Sequence, residues 1–429
     1  MSAESRATFF RQSGWLALAT AVGGAASYAV HFFAQKMPEA DYGVFTTLLQ
    51  ALNLVAIPAI GLQTVFAQQA AAAHSKPEEQ QLTATVRVVT RGLVGLWLVA
   101  MALLFAFHSQ VTAAFKIHDV RALALAAGAG LFALWMPMAY GLLQGRQNFL
   151  WYGWAAMLLG VVRLAVVAVL MLAATANATN GIMGVAAGFV IAWAVAWRAR
   201  GVEPLEPEVN FNWRDWVRRV VPLSIGAGAF IFMMSADMIV VQRFFEEKQT
   251  GLYAAAGMIG RALVFLIGPL VAVMFPKIVR GHATGESTQA LSLTLGLTAA
   301  LGVTSGVTFT LFPELPLRLI YEDRYLTIAP LVPWFVWAMV PLTLGAVLSN
   351  NLLARGRFTI AWVLGAICIA YAVTLWSLAP SFARMTNETF NVTAYIRVAQ
   401  VLGAFNLLYL LSAWLLTLKL KHADADQND

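Results

Sequence analysis

The amino-acid sequence predicts an all-α integral membrane protein with about 12 transmembrane helices. Hydrophobic residues make up 60% of the 429 residues and charged residues only 11%, whereas a soluble domain carries roughly 25% charged residues. Most of such a chain is solvated by lipid tails. Every backbone polar group in lipid must be satisfied internally, so each apolar segment is expected to be a helix. The composition argues strongly against a soluble enzyme.

Twelve apolar segments have about the 20 residues that a membrane-spanning helix needs. The first follows a polar start with two arginines and is longer than a signal-peptide core, so we interpret it as a retained helix. The second is long enough to tilt or to continue beyond the membrane. The predicted spans are 13–33, 44–68, 88–107, 122–143, 154–174, 181–197, 220–241, 251–275, 290–312, 331–351, 359–378 and 397–416.

Lysine and arginine residues lie mainly in the short loops between these segments, which indicates membrane orientation rather than affinity for nucleic acid. If the amino terminus is cytoplasmic, 17 of the 28 Lys and Arg residues fall in inside segments and 9 in outside loops, while Arg163 and Arg261 lie within spans. Because cytoplasmic loops carry the excess of Lys and Arg, both termini are predicted to be cytoplasmic. We expect no nucleic-acid partner.

The longest inside loop divides the chain near its middle and carries five arginines and two prolines. We interpret it as a cytoplasmic linker at 198–219, between an N-terminal six-helix lobe at 1–197 and a C-terminal six-helix lobe at 220–418, with a polar tail at 419–429. The lobes share four residue types at one offset of 211 positions. These pairs are Tyr42 and Tyr253, Gly145 and Gly356, Arg146 and Arg357, and Trp151 and Trp362. Six helices per lobe make such repeats parallel, related by an axis along the membrane normal, with the substrate path between them.

Several stretches resemble a known transporter family. They are Met37-Pro-Glu-Ala-Asp-Tyr-Gly-Val-Phe, the following helix ending in Ile60-Gly-Leu-Gln, Leu142-Leu-Gln-Gly-Arg after the fourth span, and the Asp237 helix followed by Gly251-Leu-Tyr-Ala-Ala-Ala. In this order they resemble polysaccharide and O-antigen flippases of the multidrug, oligosaccharidyl-lipid and polysaccharide exporter (MOP) superfamily. The resemblance implies a MATE-like V of two six-helix lobes and a central cavity. It also implies passage of a lipid-linked sugar from the cytoplasmic to the outer leaflet. The chain lacks the final helix pair of the fourteen-helix members, which disfavours the peptidoglycan-precursor subgroup.

Three ionisable residues, Arg163, Asp237 and Arg261, lie well inside predicted spans. An ionisable side chain at membrane depth costs at least about 2.5 to 3.5 kcal/mol, so it is expected to face a partner or a watery cavity. Two mid-membrane arginines, one in each lobe, would attract the phosphate or pyrophosphate of a polyprenyl-linked oligosaccharide. The guanidinium fork matches phosphate oxygens and stays charged. We therefore predict that Arg163 and Arg261 bind substrate in the cavity.

Other interpretations of these residues remain open. Arg261 is also placed to be the structural partner of Asp237, since it lies only about 7 Å deeper on the next helix and an arginine side chain can span that gap. Asp237 either pairs with a basic residue or binds a coupling proton or sodium ion. Gln50 joins the predicted cavity residues because it stands 211 positions before Arg261. Amides such as Gln50 and Gln63 suit sugar hydroxyls, although in helix bundles they more often tie helices together.

The predicted function is translocation of lipid-linked oligosaccharide or polysaccharide precursors across a bacterial inner membrane by alternating access, among membrane lipids, with no catalytic step and no cofactor. One alternative is a cation-coupled multidrug extruder of the same superfamily, which would be expected to carry acids rather than arginines in its cavity. The other is a non-transporting membrane scaffold. The sequence holds one cysteine, Cys368, and no Cys-x-x-Cys or His-Glu-x-x-His spacing, so no metal site is predicted.

Overall fold

The computed structural model describes residues 3–201, 213–264, 287–386 and 391–425. Within these ranges all regular structure is helical, and no strand occurs. The helices that begin before residue 245 are α1 (Ala3–Ala34), α2 (Glu39–Ala72), α3 (Lys76–Ala106), α4 (His108–Ala114), α5 (Val120–Gly145), α6 (Phe149–Ala173), α7 (Ala178–Arg198) and α8 (Trp213–Phe244).

The remaining described chain is helical as well. Within the described ranges, helix α9 spans residues 247–264. It is followed by α10 (Ser287–Leu311), α11 (Leu315–Ile320), a 3₁₀ segment (Asp323–Leu331), α12 (Val332–Ala354), α13 (Thr359–Ala383), a short 3₁₀ turn (Arg384–Thr386) and α14 (Val392–Ala425).

Eleven helical segments of the described ranges are long and apolar enough to cross a membrane. Eleven of the predicted spans each fall on one of these segments, which confirms the prediction of an all-α, multi-pass membrane protein. The predicted eighth span, 251–275, begins on α9 and continues into residues outside the described ranges. Half of the predicted linker at 198–219, residues 202–212, also lies outside them, so the lobe boundaries stay a prediction.

The chain divides into two compact units. The first consists of Met1–Met37 and Ala51–Ser224, and the second of Pro38–Gln50 and Ile225–Asp429. Helix α2 therefore contributes its first residues to the second unit and the rest to the first, and α8 likewise begins in the first unit and ends in the second.

A helix cap in the first unit explains where α5 begins. The Asp119 carboxylate accepts a hydrogen bond from the backbone N–H of Arg121 at 3.0 Å, which satisfies one of the donors left unpaired at the start of α5. The same carboxylate accepts a hydrogen bond from the Thr179 hydroxyl at 2.6 Å. Because Thr179 lies in the first turn of α7, Asp119 ties the starts of two neighbouring helices together.

Glycines set the spacing of α6 in the first unit. Gly160 of α6 packs directly against the backbone of Gly23 on α1, and a Cβ on Gly188 of α7 would lie 2.6 Å from the carbonyl oxygen of Leu159. Such small residues let helix backbones approach closely in membranes. The middle of α6, which carries Arg163, is therefore held between two close helix neighbours.

Polar side chains tie α14 and α12 together in the second unit. Asn406 donates to the carbonyl oxygen of Ala338 at 2.8 Å, and the hydroxyls of Ser349 and Tyr409 lie 3.0 Å apart. Cys368 of α13 is buried, and its Sγ lies 3.7 Å from the carbonyl oxygen of Ala229 on α8.

Candidate functional site

The second unit contains a buried ion pair between α8 and α9. Arg261 Nη2 donates to both carboxylate oxygens of Asp237, at 2.7 and 2.6 Å. The two side chains are only 1% and 0% exposed. Arg261 Nε also donates to the Met234 carbonyl oxygen at 2.7 Å, and the Tyr253 hydroxyl donates to Asp237 Oδ2 at 2.7 Å. The carboxylate is thus held by two residues of α9 and the guanidinium by two residues of α8.

Arg261 still has one donor group with no acceptor. Its Nη1 is buried and has no hydrogen-bond partner within the described ranges. The guanidinium carbon lies 5.8 Å from the centroid of the Phe335 ring, and a Cβ on Gly257 would collide with Nη1. Gly257 therefore leaves room for the guanidinium, and Nη1 is a buried donor without an acceptor in the described ranges.

Arg163 lies in the first unit, in the middle of α6. It is 14 residues from the start of this helix and 10 from its end, or roughly 21 and 15 Å along the axis. Its guanidinium carbon lies 5.6 Å from the centroid of the Phe189 ring on α7, a cation–π distance. Among the described residues no carboxylate forms an ion pair with Arg163, and its buried Nε has no hydrogen-bond acceptor. Arg163 thus carries a positive charge that none of the described side chains neutralises.

Gln50 belongs to the second unit and is buried at 4% exposure. Its Oε1 accepts a hydrogen bond from the Ser235 hydroxyl at 2.9 Å. Ser235 precedes Asp237 by two residues on α8. The structure thus places Gln50, Asp237 and Arg261 in one unit, with Asp237 and Arg261 in direct contact, and Arg163 in the other unit.

Sequence reasoning did not identify the role of Tyr253. The sequence indicates Tyr253 only as a repeat partner of Tyr42, yet its hydroxyl donates to the Asp237 carboxylate. Its position sixteen residues after Asp237, beyond the turn into α9, was the only available signal. Among the described residues, no group of three or more His, Cys, Asp or Glu side chains is placed to hold a metal ion.

No protein-family model matches the chain, and no curated protein sequence matches it.

Comparison with solved structures, in contrast, finds clear similarity of fold. The chain is similar to a multidrug resistance MATE family transporter of the MOP superfamily in an inward-facing conformation, with a TM-score of 0.69, 11% identity, and coverage of 94% of this chain and 96% of that one. It is also similar to the lipid II flippase MurJ in an inward closed conformation, with a TM-score of 0.64, 11% identity, and coverage of 95% and 86%. A third similar structure is a MOP superfamily transporter from Pyrococcus furiosus, with a TM-score of 0.62, 11% identity, and coverage of 96% of each chain. At this level of identity the similarity shows the fold alone, and that fold is the one shared by MOP transporters.

Proposed function

We propose that this protein translocates oligosaccharide or polysaccharide precursors, linked to a polyprenyl phosphate or pyrophosphate, from the cytoplasmic to the outer leaflet of a bacterial inner membrane. Both termini are cytoplasmic in this proposal, transport proceeds by alternating access, and no bond in the substrate is broken. The fold shared with MOP transporters supports a transport function.

The substrate class rests on one observation, the uncompensated charge of Arg163. A cation within an apolar helix is costly unless an anion or water accompanies it. Within the described ranges neither a carboxylate nor an acceptor for Nε is provided by the protein. The phosphate of a lipid-linked sugar supplies both the missing charge and the missing oxygens, and it binds a guanidinium through two hydrogen bonds.

The second mid-membrane arginine supports this proposal in a weaker way. The Asp237 carboxylate offsets most of the charge of Arg261, so Arg261 contributes a hydrogen-bond donor rather than a net charge. In this proposal its buried Nη1, which has no acceptor within the described ranges, donates to a phosphate oxygen. In this proposal Gln50 binds a polar group of the substrate, while Asp237 is a structural partner rather than an ion-coupling site, because Arg261 and Tyr253 engage both of its oxygens.

A multidrug extruder of the same superfamily is the alternative that needs the sharpest test. A cationic drug would be repelled by Arg163, whereas an anionic headgroup would be attracted. In the extruder, Asp237 would exchange a proton or sodium ion for the drug. Asp237→Asn protein that still inserts and folds then separates the two roles, since only an ion-coupling carboxylate would change the pH or sodium dependence of transport.

The proposal is tested in liposomes that contain the purified protein and a fluorescent lipid-linked oligosaccharide. A quencher is added outside the liposomes, where the membrane protects fluorophores of the inner leaflet from it. Transport is measured as the loss of this protection. Arg163→Gln should abolish protein-dependent flipping, and Arg163→Lys should retain part of it because the charge remains but the fork is lost. The matched control is Arg243→Gln, because Arg243 also lies over a phenylalanine ring, at 5.3 Å, but is exposed at the end of α8.

Normal flipping by inserted Arg163→Gln protein would contradict an anionic substrate. Flipping that fails equally in Arg243→Gln would point to a general loss of structure. Uptake of a cationic dye by the wild-type protein, with no flipping of the lipid-linked sugar, would favour the extruder.

A further inference from the structure

A cluster of aromatic and amide side chains lies where α2, α5 and α6 come together in the first unit. The rings of Tyr140 and Tyr152 are stacked, with centroids 4.6 Å apart and planes inclined by 28°. Gln63 Nε2 donates to the Tyr152 hydroxyl at 3.0 Å and to Gln144 Oε1 at 3.2 Å. We call these four residues the tyrosine–glutamine cluster.

The cluster has more hydrogen-bonding groups than it uses. The Tyr140 hydroxyl is buried and has no partner within the described ranges. The Tyr152 hydroxyl accepts from Gln63, which leaves its own hydrogen to donate, and Gln144 uses its oxygen, which leaves its amide hydrogens. A buried hydroxyl without a partner costs about 1–3 kcal/mol, and a ligand that supplies the missing partner would recover that energy.

The position of the cluster relates it to Arg163. Tyr152 and Arg163 are eleven residues apart on α6, which is about three turns and about 16 Å. Both therefore lie on one face of the helix, together with Ala156 and Leu159, and all four are half-buried. The α5–α6 turn next to the cluster is predicted to be cytoplasmic. One helix face thus carries the tyrosine–glutamine cluster near its cytoplasmic end and a guanidinium at mid-depth.

We propose that the tyrosine–glutamine cluster is a sugar-binding subsite that holds one pyranose ring of the transported oligosaccharide. This proposal rests on the proposed function and assigns the sugar and the phosphate to different points of the first unit. A pyranose has an apolar face that packs on an aromatic ring, and hydroxyl groups that donate and accept hydrogen bonds. Small-ligand sites typically have an aromatic and apolar lining with a small number of precisely placed polar groups. An apolar or cationic drug would leave the buried Tyr140 hydroxyl unsatisfied.

The test uses the full-length protein in lipid nanodiscs that contain no sugar. The sugar probes are neutral, lipid-free trisaccharides of glucose, galactose or N-acetylglucosamine, and binding is measured by saturation-transfer NMR. Inorganic pyrophosphate is titrated separately as the anion probe. At least one trisaccharide should show saturation transfer from the protein to its ring protons.

Variants then locate the sugar. Tyr140→Phe keeps the stacked ring and removes the unpaired hydroxyl, so sugar affinity should fall about five- to tenfold for the loss of one hydrogen bond. The sugar-free protein should become more stable to heat, and pyrophosphate affinity should stay unchanged. Gln144→Met should weaken sugar binding in the same way. The matched control is Tyr325→Phe, since the Tyr325 hydroxyl is also buried without a partner in the described ranges but lies in the second unit.

Two outcomes overturn the subsite. One is the absence of saturation transfer to any of the three trisaccharides, and the other is equal sugar affinity in Tyr140→Phe and the wild type. Neither contradicts the proposed function if pyrophosphate still binds and Arg163→Gln removes that binding. If Arg163→Gln binds pyrophosphate as tightly as the wild type does, the proposed function is contradicted. The conclusion about sugar binding is then unaffected.

Discussion

Removing the carboxylate of Asp237 should be one of the most destabilising single changes in the second unit. The carboxylate accepts three hydrogen bonds, two from Arg261 Nη2 and one from the Tyr253 hydroxyl, all at 2.6–2.7 Å. Because both charged side chains are at most 1% exposed, Asp237→Asn leaves a buried guanidinium without its counter-charge. Breaking a buried pair in this way typically costs about 3–5 kcal/mol.

An exposed ion pair of the same chemistry provides the control. Arg318 Nη2 lies 2.8 Å from Glu314 Oε2, with side chains 59% and 52% exposed, and solvent screening leaves such an exposed pair with little effect on stability. Glu314→Gln should therefore change the free energy of unfolding far less than Asp237→Asn does.

The assay is equilibrium unfolding of the purified protein in bicelles with increasing mole fraction of sodium dodecyl sulfate, followed by circular dichroism. The double variant Asp237→Leu, Arg261→Met should regain most of the lost stability, because an apolar pair of similar volume often replaces a buried ion pair at little cost. If Asp237→Asn is no more destabilising than Glu314→Gln, the pair is solvated, and the proposal that Asp237 acts as a structural partner fails.

Three further predictions concern residues around these features. Tyr253→Phe should lower the free energy of unfolding by about 1.5–3 kcal/mol in the same assay, because a hydrogen bond to a charged group is lost, and an unchanged value would mean that the hydroxyl does not hold the carboxylate. Hydrogen bonds from the Arg121 side chain and then from Thr179 lower the pKa of Asp119 from 3.8 to about 2. Wild type should therefore be more stable than Asp119→Asn above about pH 4 and lose that advantage as the pH falls toward 2, whereas a constant difference from pH 6 to pH 2 would contradict this. Gly188→Leu should reduce the amount of folded protein on size-exclusion chromatography, because even a Cβ at this position meets the Leu159 carbonyl at 2.6 Å, and normal yield would show that α6 and α7 can separate at no cost.

The membrane spans were predictable because each is a run of about 20 mostly apolar residues. Such a run is visible in the sequence without knowledge of any contact between helices. The pairing of Asp237 with Arg261 was accessible for a related reason, since two helices joined by a short turn place residues of similar depth side by side. Whether two such side chains face each other depends on the rotation of each helix about its axis, which hydropathy does not report. Tyr253 was therefore not identified as a partner of Asp237.

Contacts between helices were the least predictable feature. Tyr140 and Tyr152 stand on either side of the α5–α6 turn, and Gln63 joins them from α2, far away in the chain. Period and spacing along one helix give no register against another. The assignment of Pro38–Gln50 to the second unit was equally hidden, because the apolar run of α2 continues without a break across Gln50.

The burial of Cys368 gives the native chain a practical property. Cys368 is the only thiol of the sequence, and it packs against the Ala229 carbonyl inside the second unit. A water-soluble maleimide should therefore react slowly with the unmodified protein. A cysteine introduced at an exposed helix end would be the only readily labelled position, so the side of the membrane on which each loop lies can be determined without first replacing Cys368.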